Sequence, residues 1–91
     1  MRPRREGRIL ESLAGNVLRV RLRQGLTQEQ LAEASELTPR YIQQIERARV
    51  NPALTVFLAI ADALEVTPAT LLRPAKLPEA RPGRPPRPRK E

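Results

Sequence analysis

Leu10, Leu13, Val17 and Val20 recur three and four residues apart, the spacing that gathers side chains on one stripe of an α-helix. The stripe predicts a first helix over residues 9–23. Gly25 predicts its stop, since glycine enters the left-handed backbone region at no steric cost. Thr27 stands three residues before Gln30, a capping box that opens a second helix over residues 28–34. Thr38 and Pro39 open a third over residues 39–48: the threonine oxygen caps, and proline at the first helical position wastes no N–H. Asn51-Pro52 cannot continue it, because the residue before proline is pushed out of the helical region. Leu54, Phe57, Ile60, Ala61 and Leu64 give a fourth helix its inward side. Thr67-Pro68 starts a short fifth that ends at Leu72. Nowhere do apolar and polar residues alternate as a half-buried strand requires. The pattern predicts an all-α, compact five-helix domain over residues 9–72.

The polar positions of the third helix change this picture. On a wheel of about 100° per residue, Ile42 and Ile45 share the inner face, while Arg40, Gln44 and Arg47 stack opposite them with Gln43 alongside. Residues 35–37 are too short a link for the second and third helices to lie flat together. They must cross steeply and leave the third exposed, the geometry of a helix-turn-helix. A solvated outer face is the plain alternative, but such faces are ordinarily built from Glu and Lys. Here they are Arg and Gln, the side chains that make paired hydrogen bonds to guanine and adenine edges. The face therefore points to DNA reading. Glu46 turns inward on the same wheel, where a lone carboxylate would be costly. Arg21, flanking the apolar stripe of the first helix, is its expected partner.

Charge adds a second pointer once it is divided along the chain. Residues 1–8 hold four Arg against one Glu, and residues 73–91 hold seven basic residues against two acidic ones. Residues 9–72 hold six basic against seven acidic. The excess of +7 thus lies in two basic arms beside a nearly neutral domain, a pattern common in nucleic-acid binding proteins. The tail has six prolines among its nineteen residues and is expected to be an extended, disordered segment that buries no core. Its Gly83-Arg84-Pro85 resembles the core of an AT-hook, with Pro82 where an arginine is expected; general attraction to phosphate is the simpler role.

Composition removes other classes. There is no Cys and no His, so the commonest nucleophile, general base and metal ligands are missing. Ser12 and Ser35 have no evident base. No catalytic residue, metal site or cofactor is expected, and an enzyme is the least favoured reading. No apolar run approaches the roughly 20 residues of a membrane span, so an intracellular, cytoplasmic protein with no membrane partner is expected.

The stretch "LTQEQLAEASELTPRYIQQIERARVNP", with "LAIADALEVTPATLL" after it, resembles the Cro and phage-repressor (XRE) family of helix-turn-helix proteins. The likeness covers residues 13–72. It rests on the combination of Arg21, Gly25-Leu26-Thr27-Gln28, Leu31-Ala32, Tyr41-Ile42, Ile45-Glu46 and Asn51-Pro52. It implies a transcriptional regulator, a repressor or autoregulator, that binds double-stranded operator DNA as a symmetric homodimer. By that likeness Pro39, Arg40, Gln43 and Gln44 face the bases. Gln28, Thr38, Arg47, Arg49 and Asn51 fall where the family holds the DNA backbone. Pro39 brings no donor, so it either touches a thymine methyl or simply starts the helix. The family's ion pair falls on Arg21 and Glu46. Proteins of this build also act as antitoxins, bound to a toxin, or as restriction–modification controllers, so a protein partner is the alternative. Glycine is usual in the family where Glu36, Ala48 and Glu65 stand here. Either these residues take a strained positive φ or the local backbone differs. Finally, Leu18, Leu22, Val56, Ala59 and Ala63 lie off the expected core stripes; they are either a contact between two copies or scattered surface leucines with small helix-favouring alanines.

Overall fold

The computed structural model describes residues 4–75, and within them the regular structure is all helical, with helices α1 (Arg4–Arg23), α2 (Gln28–Ser35), α3 (Pro39–Glu46), α4 (Leu54–Leu64) and α5 (Pro68–Leu71). Residues 1–3 and 76–91, with most of the basic tail and its Gly83-Arg84-Pro85, lie outside the described residues. The long α1 runs across the domain and packs on α3 and α5, while α2 packs on α3 and α4. Leu13, Val17, Val20, Leu31, Ile42, Ile45, Phe57, Ile60, Leu64 and Leu71 meet in one buried core. No helix among the described residues is long and apolar enough to cross a membrane.

Starts follow the caps. Thr27 accepts from the Gln30 N–H and Gln30 Oε1 from the Thr27 N–H, at 2.9 and 2.8 Å. Thr38 accepts from Tyr41 N–H at 3.1 Å, and Thr67 from Thr70 N–H at 3.3 Å. Ends are more uniform than the sequence shows. After each of α1 to α4 the chain turns through one left-handed residue: Gly25 (φ 74), Glu36 (φ 62), Ala48 (φ 58) and Glu65 (φ 60). The N–H of the residue after each reaches back to close the turn, from Leu26 to Arg21 O, Leu37 to Ala32 O, Arg49 to Gln44 O and Val66 to Ala61 O, at 3.0, 2.8, 2.8 and 3.0 Å. This is the glycine-favouring Schellman arrangement, and only one of the four positions has glycine.

Several boundaries differ from the sequence pattern. The first helix begins at Arg4, not at residue 9, because residues 4–8 contain no proline and can extend the helix even without apolar positions. The third ends at Glu46, with Arg47 as its cap, since the left-handed Ala48 cannot be helical. The fifth ends at Leu71. Leu54, expected inward, is 69% exposed because it opens α4 before that helix reaches the core. Conversely, Val56 and Ala63 pack partly buried against the core. The apolar arc of α4 therefore runs over 56-60-63 and 57-61-64, wider than the expected inward side by Val56 and Ala63.

Candidate nucleic-acid interface

The pairing of α2 with α3 is set by the turn between them. Glu36 in the left-handed region reverses the chain, and Leu37 behind it packs partly buried against the core. Pro39 then starts α3 under the Thr38 cap. Ile42 and Ile45 are buried at 0% and 1% exposure, which fixes the rotation of α3 about its axis. Arg40 and Arg47 are exposed on the other side, with Gln43 and Gln44 half-buried. The two glutamines are thus less free than a fully solvated outer face would leave them. Beyond it Arg49 and Asn51 are exposed. Pro39 and Thr38 are exposed at its start.

Glu46 is 6% exposed, and it ties three helices together. Its Oε2 accepts from Arg21 Nε at 2.6 Å and its Oε1 from the second terminal nitrogen of Arg21 at 3.0 Å. The other terminal nitrogen of Arg21 donates to Leu26 O at 2.8 Å. Glu46 Oε1 also accepts from Gln28 Nε2 at 3.0 Å. Gln28, read from the family likeness as a phosphate contact, is thus half-buried and tied to the fold by one amide N–H. The other N–H of that amide, and the unpaired backbone N–H groups that open any helix, remain on this corner. Among the described residues Arg21–Glu46 is the only salt bridge, so Arg40, Arg47 and Arg49 carry positive charge with no acidic partner. This surface offers amide groups on one helix face with guanidinium groups around it, a set suited to base edges and phosphates.

The apolar positions assigned to a contact between copies differ in exposure. Leu22 is 60% exposed and Leu18 half-buried on α1. Ala59 and Ala63 line a shallow acidic-rimmed hollow with Glu36 and Asp62, while Val56 belongs to the core edge.

The sequence pattern missed a polar clasp. Asn16 is fully buried, and its Nδ2 donates to Leu71 O and Arg73 O, both at 2.9 Å. Ser12 exchanges hydrogen bonds with the backbone of Ala75 at 3.2 and 3.1 Å. Ser12 and Asn16 are four apart beside the apolar stripe, the one signal that could have exposed them. Gln24 Nε2 similarly satisfies Leu64 O at the end of α4, at 2.7 Å.

Comparison with known proteins places this geometry. The model of the helix-turn-helix family matches residues 17–71. The chain is 42% identical over 64 residues to the control protein C.SmaI of Serratia marcescens, covering 70% of this chain and 76% of that one. It is 45% identical over 47 residues to the immunity repressor protein of Bacillus phage phi105, where the match spans 52% of this chain but only 33% of the repressor. Among solved structures, the restriction–modification controller C.AhdI of Aeromonas hydrophila superposes with a TM-score of 0.66 at 34% identity, over 68% of this chain and 94% of that one. The chain belongs to the helix-turn-helix family of Cro and phage-repressor type.

Proposed function

We propose that this protein is a sequence-specific DNA-binding regulator of transcription, which lays α3 in the major groove of a palindromic operator as a pair of identical copies. The observation that carries this reading is the fixed rotation of α3. Ile42, Ile45 and Glu46 are spent inward, which leaves Arg40, Gln43 and Gln44 for base edges. Thr38, Arg47, Arg49, Asn51 and the free part of Gln28 grip the backbone beside them. Pro39 starts the helix and brings only apolar contact. Such a regulator works where the DNA is, in the cytoplasm.

The test is selection of bound duplexes from a random pool, repeated with Gln44→Ala. The wild type should enrich a palindrome, and the variant should relax one position per half-site at a cost of about 1–3 kcal/mol. Binding without any enriched motif would remove the specific reading.

A narrower role has support from the relatives. Likeness to C.SmaI and C.AhdI favours a controller of restriction–modification genes over a phage repressor, because those chains match this one over most of their length. The selected motif should then lie upstream of the protein's own gene and of a restriction gene. A motif found only elsewhere refutes the controller role and leaves the general one.

A further inference from the structure

The fold brings the roots of the two basic arms to one place. Asn16 and Ser12 bind the backbone of residues 71–75 and lay the chain leaving α5 along the first half of α1. Between the two runs a groove of about 520 Å³, and Arg5 and Arg8 line it from α1. Arg19, one turn after Asn16, donates to Asn16 Oδ1, and the same amide holds Arg73 O, so Arg19 and Arg73 flank the chain exit. All four arginines are exposed, and none belongs to the single salt bridge among the described residues. Glu11 is the one carboxylate that lines the groove; Glu6 stands about 100° round the helix from Arg5. Ile9 and Leu72 line the groove with 52% and 45% of their surface exposed, a bed along which arginine stems can lie with their heads in water. From Ala75 the sequence continues into residues 76–91, with six basic residues against two acidic. Charge that is divided along the sequence thus acts from one end of the domain as one positive field.

We propose that this end of the domain is a second DNA-binding surface, which holds phosphodiester backbone outside the half-site read by α3, whatever its sequence. The inference rests on the DNA-reading function above and adds a contact which that function does not use. Arg21 meets the end of α3 through Glu46. Arg8 lies thirteen residues before Arg21 on α1, about 20 Å along the helix, which sets Arg5 and Arg8 apart from Arg47 and Arg49 beside Glu46. From Arg5 to Arg19 the row spans about 21 Å of α1. One DNA strand carries a phosphate about every 3.4 Å of its axis, so several phosphates fit along the row. Guanidinium groups suit them, since each can make two parallel hydrogen bonds to one phosphate. A duplex already held at α3 also presents its backbone at high local concentration.

Fluorescence anisotropy of the full chain with a duplex of unrelated sequence, at several salt concentrations, tests this. The joint change Arg5→Gln, Arg8→Gln and Arg73→Gln should lower the slope of log K against log salt by about 1–3. Circular dichroism and thermal melting should stay unchanged, the three side chains being exposed. A slope lowered by less than about 1 overturns the proposal and leaves an acidic protein surface as the better fit. Two arms separate the sources of the backbone. If the surface holds the same duplex, longer flanks around the selected operator should tighten wild-type binding, and the triple variant should lose that gain. If it holds a second duplex, immobilised operator should retain a labelled unrelated duplex through the wild type and not through the variant. Absence of both effects also overturns the proposal. The variant should still enrich the wild-type motif, since α3 is untouched. Where the wild type enriches no motif, the slope on the unrelated duplex still scores this surface, so the two readings fail separately.

Discussion

Replacing Ala48 by glycine should make the protein more stable, against the usual effect of removing a methyl group. Ala48 sits at φ 58, in the left-handed region, where an L side chain crowds the following carbonyl at a cost of about 1–2 kcal/mol. Glycine relieves that crowding but gives back roughly 0.5–1 kcal/mol through its freer unfolded chain. The net gain is about 0.5–1 kcal/mol. Glu36 and Glu65 occupy the same kind of turn at φ 62 and φ 60, and both are exposed, so Glu36→Gly and Glu65→Gly lose little packing. The three turns end different helices, and separate sites add. Together they should contribute about 2 kcal/mol, which for a domain of this size raises Tm by roughly 8–16 °C. The chain has no Trp, so urea unfolding is best followed by far-ultraviolet circular dichroism. The control is Ala34→Gly, the same chemical change at an exposed position inside α2, which should cost about 1 kcal/mol. If Ala48→Gly destabilises as Ala34→Gly does, the left-handed turn carries no strain and the argument fails.

Three further outcomes follow from the hydrogen-bond geometry. Glu46→Ala should cost about 3–5 kcal/mol in urea unfolding, because it strands a buried guanidinium, while the joint change Arg21→Met with Glu46→Leu should cost far less; equal losses would mean that the pair is solvated. Asn16→Ala should cost about 1–3 kcal/mol by leaving Leu71 O and Arg73 O without their donor, and amide exchange should quicken in α5 first; a neutral result would show that water replaces the amide. Arg49→Ala should weaken binding to every DNA sequence alike and lower the salt slope of log K by about 1; a sequence-dependent loss would make Arg49 a base reader.

How much was legible depended on whether a local rule decided the matter. Thr27-Gln30, Thr38-Pro39 and Thr67-Pro68 state helix starts in neighbouring residues, so all three were readable. The inward placement of Ile42 and Ile45 was readable too, since helical period alone sets it. The helix ends were harder. Only Gly25 announces a left-handed turn, while Glu36, Ala48 and Glu65 adopt one because tertiary packing of Leu37 and Val66 outweighs their local preference. The family likeness raised positive φ at these positions as one of two alternatives, but residue type could not choose between them. Asn16 and Ser12 escaped notice because their partners are backbone groups some sixty residues away, which no short window contains. The start of α1 was missed for the opposite reason: residues 4–8 have no apolar period, and helix can extend without one.

The meeting of three helices at Glu46 separates two kinds of residue around the proposed reading face. Arg21 and Gln28 reach the same carboxylate from α1 and from the start of α2. Removing Glu46 therefore loosens the angle between α2 and α3 as well as the fold. Loss of stability and loss of DNA affinity should appear together in that variant, since the proposed phosphate contacts at the start of α2 and base contacts on α3 need one fixed separation. Arg47 and Arg49 stand outside the network, so their removal should reduce affinity at unchanged stability. Gln28→Ala lies between the two. It frees one lone pair of a carboxylate that keeps both bonds from Arg21, so stability should fall only slightly. Yet it also deletes the amide that the carboxylate orients. An affinity loss with near-native melting would make Gln28 a DNA contact positioned by Glu46. A melting loss with unchanged affinity would make it purely a strut of the fold.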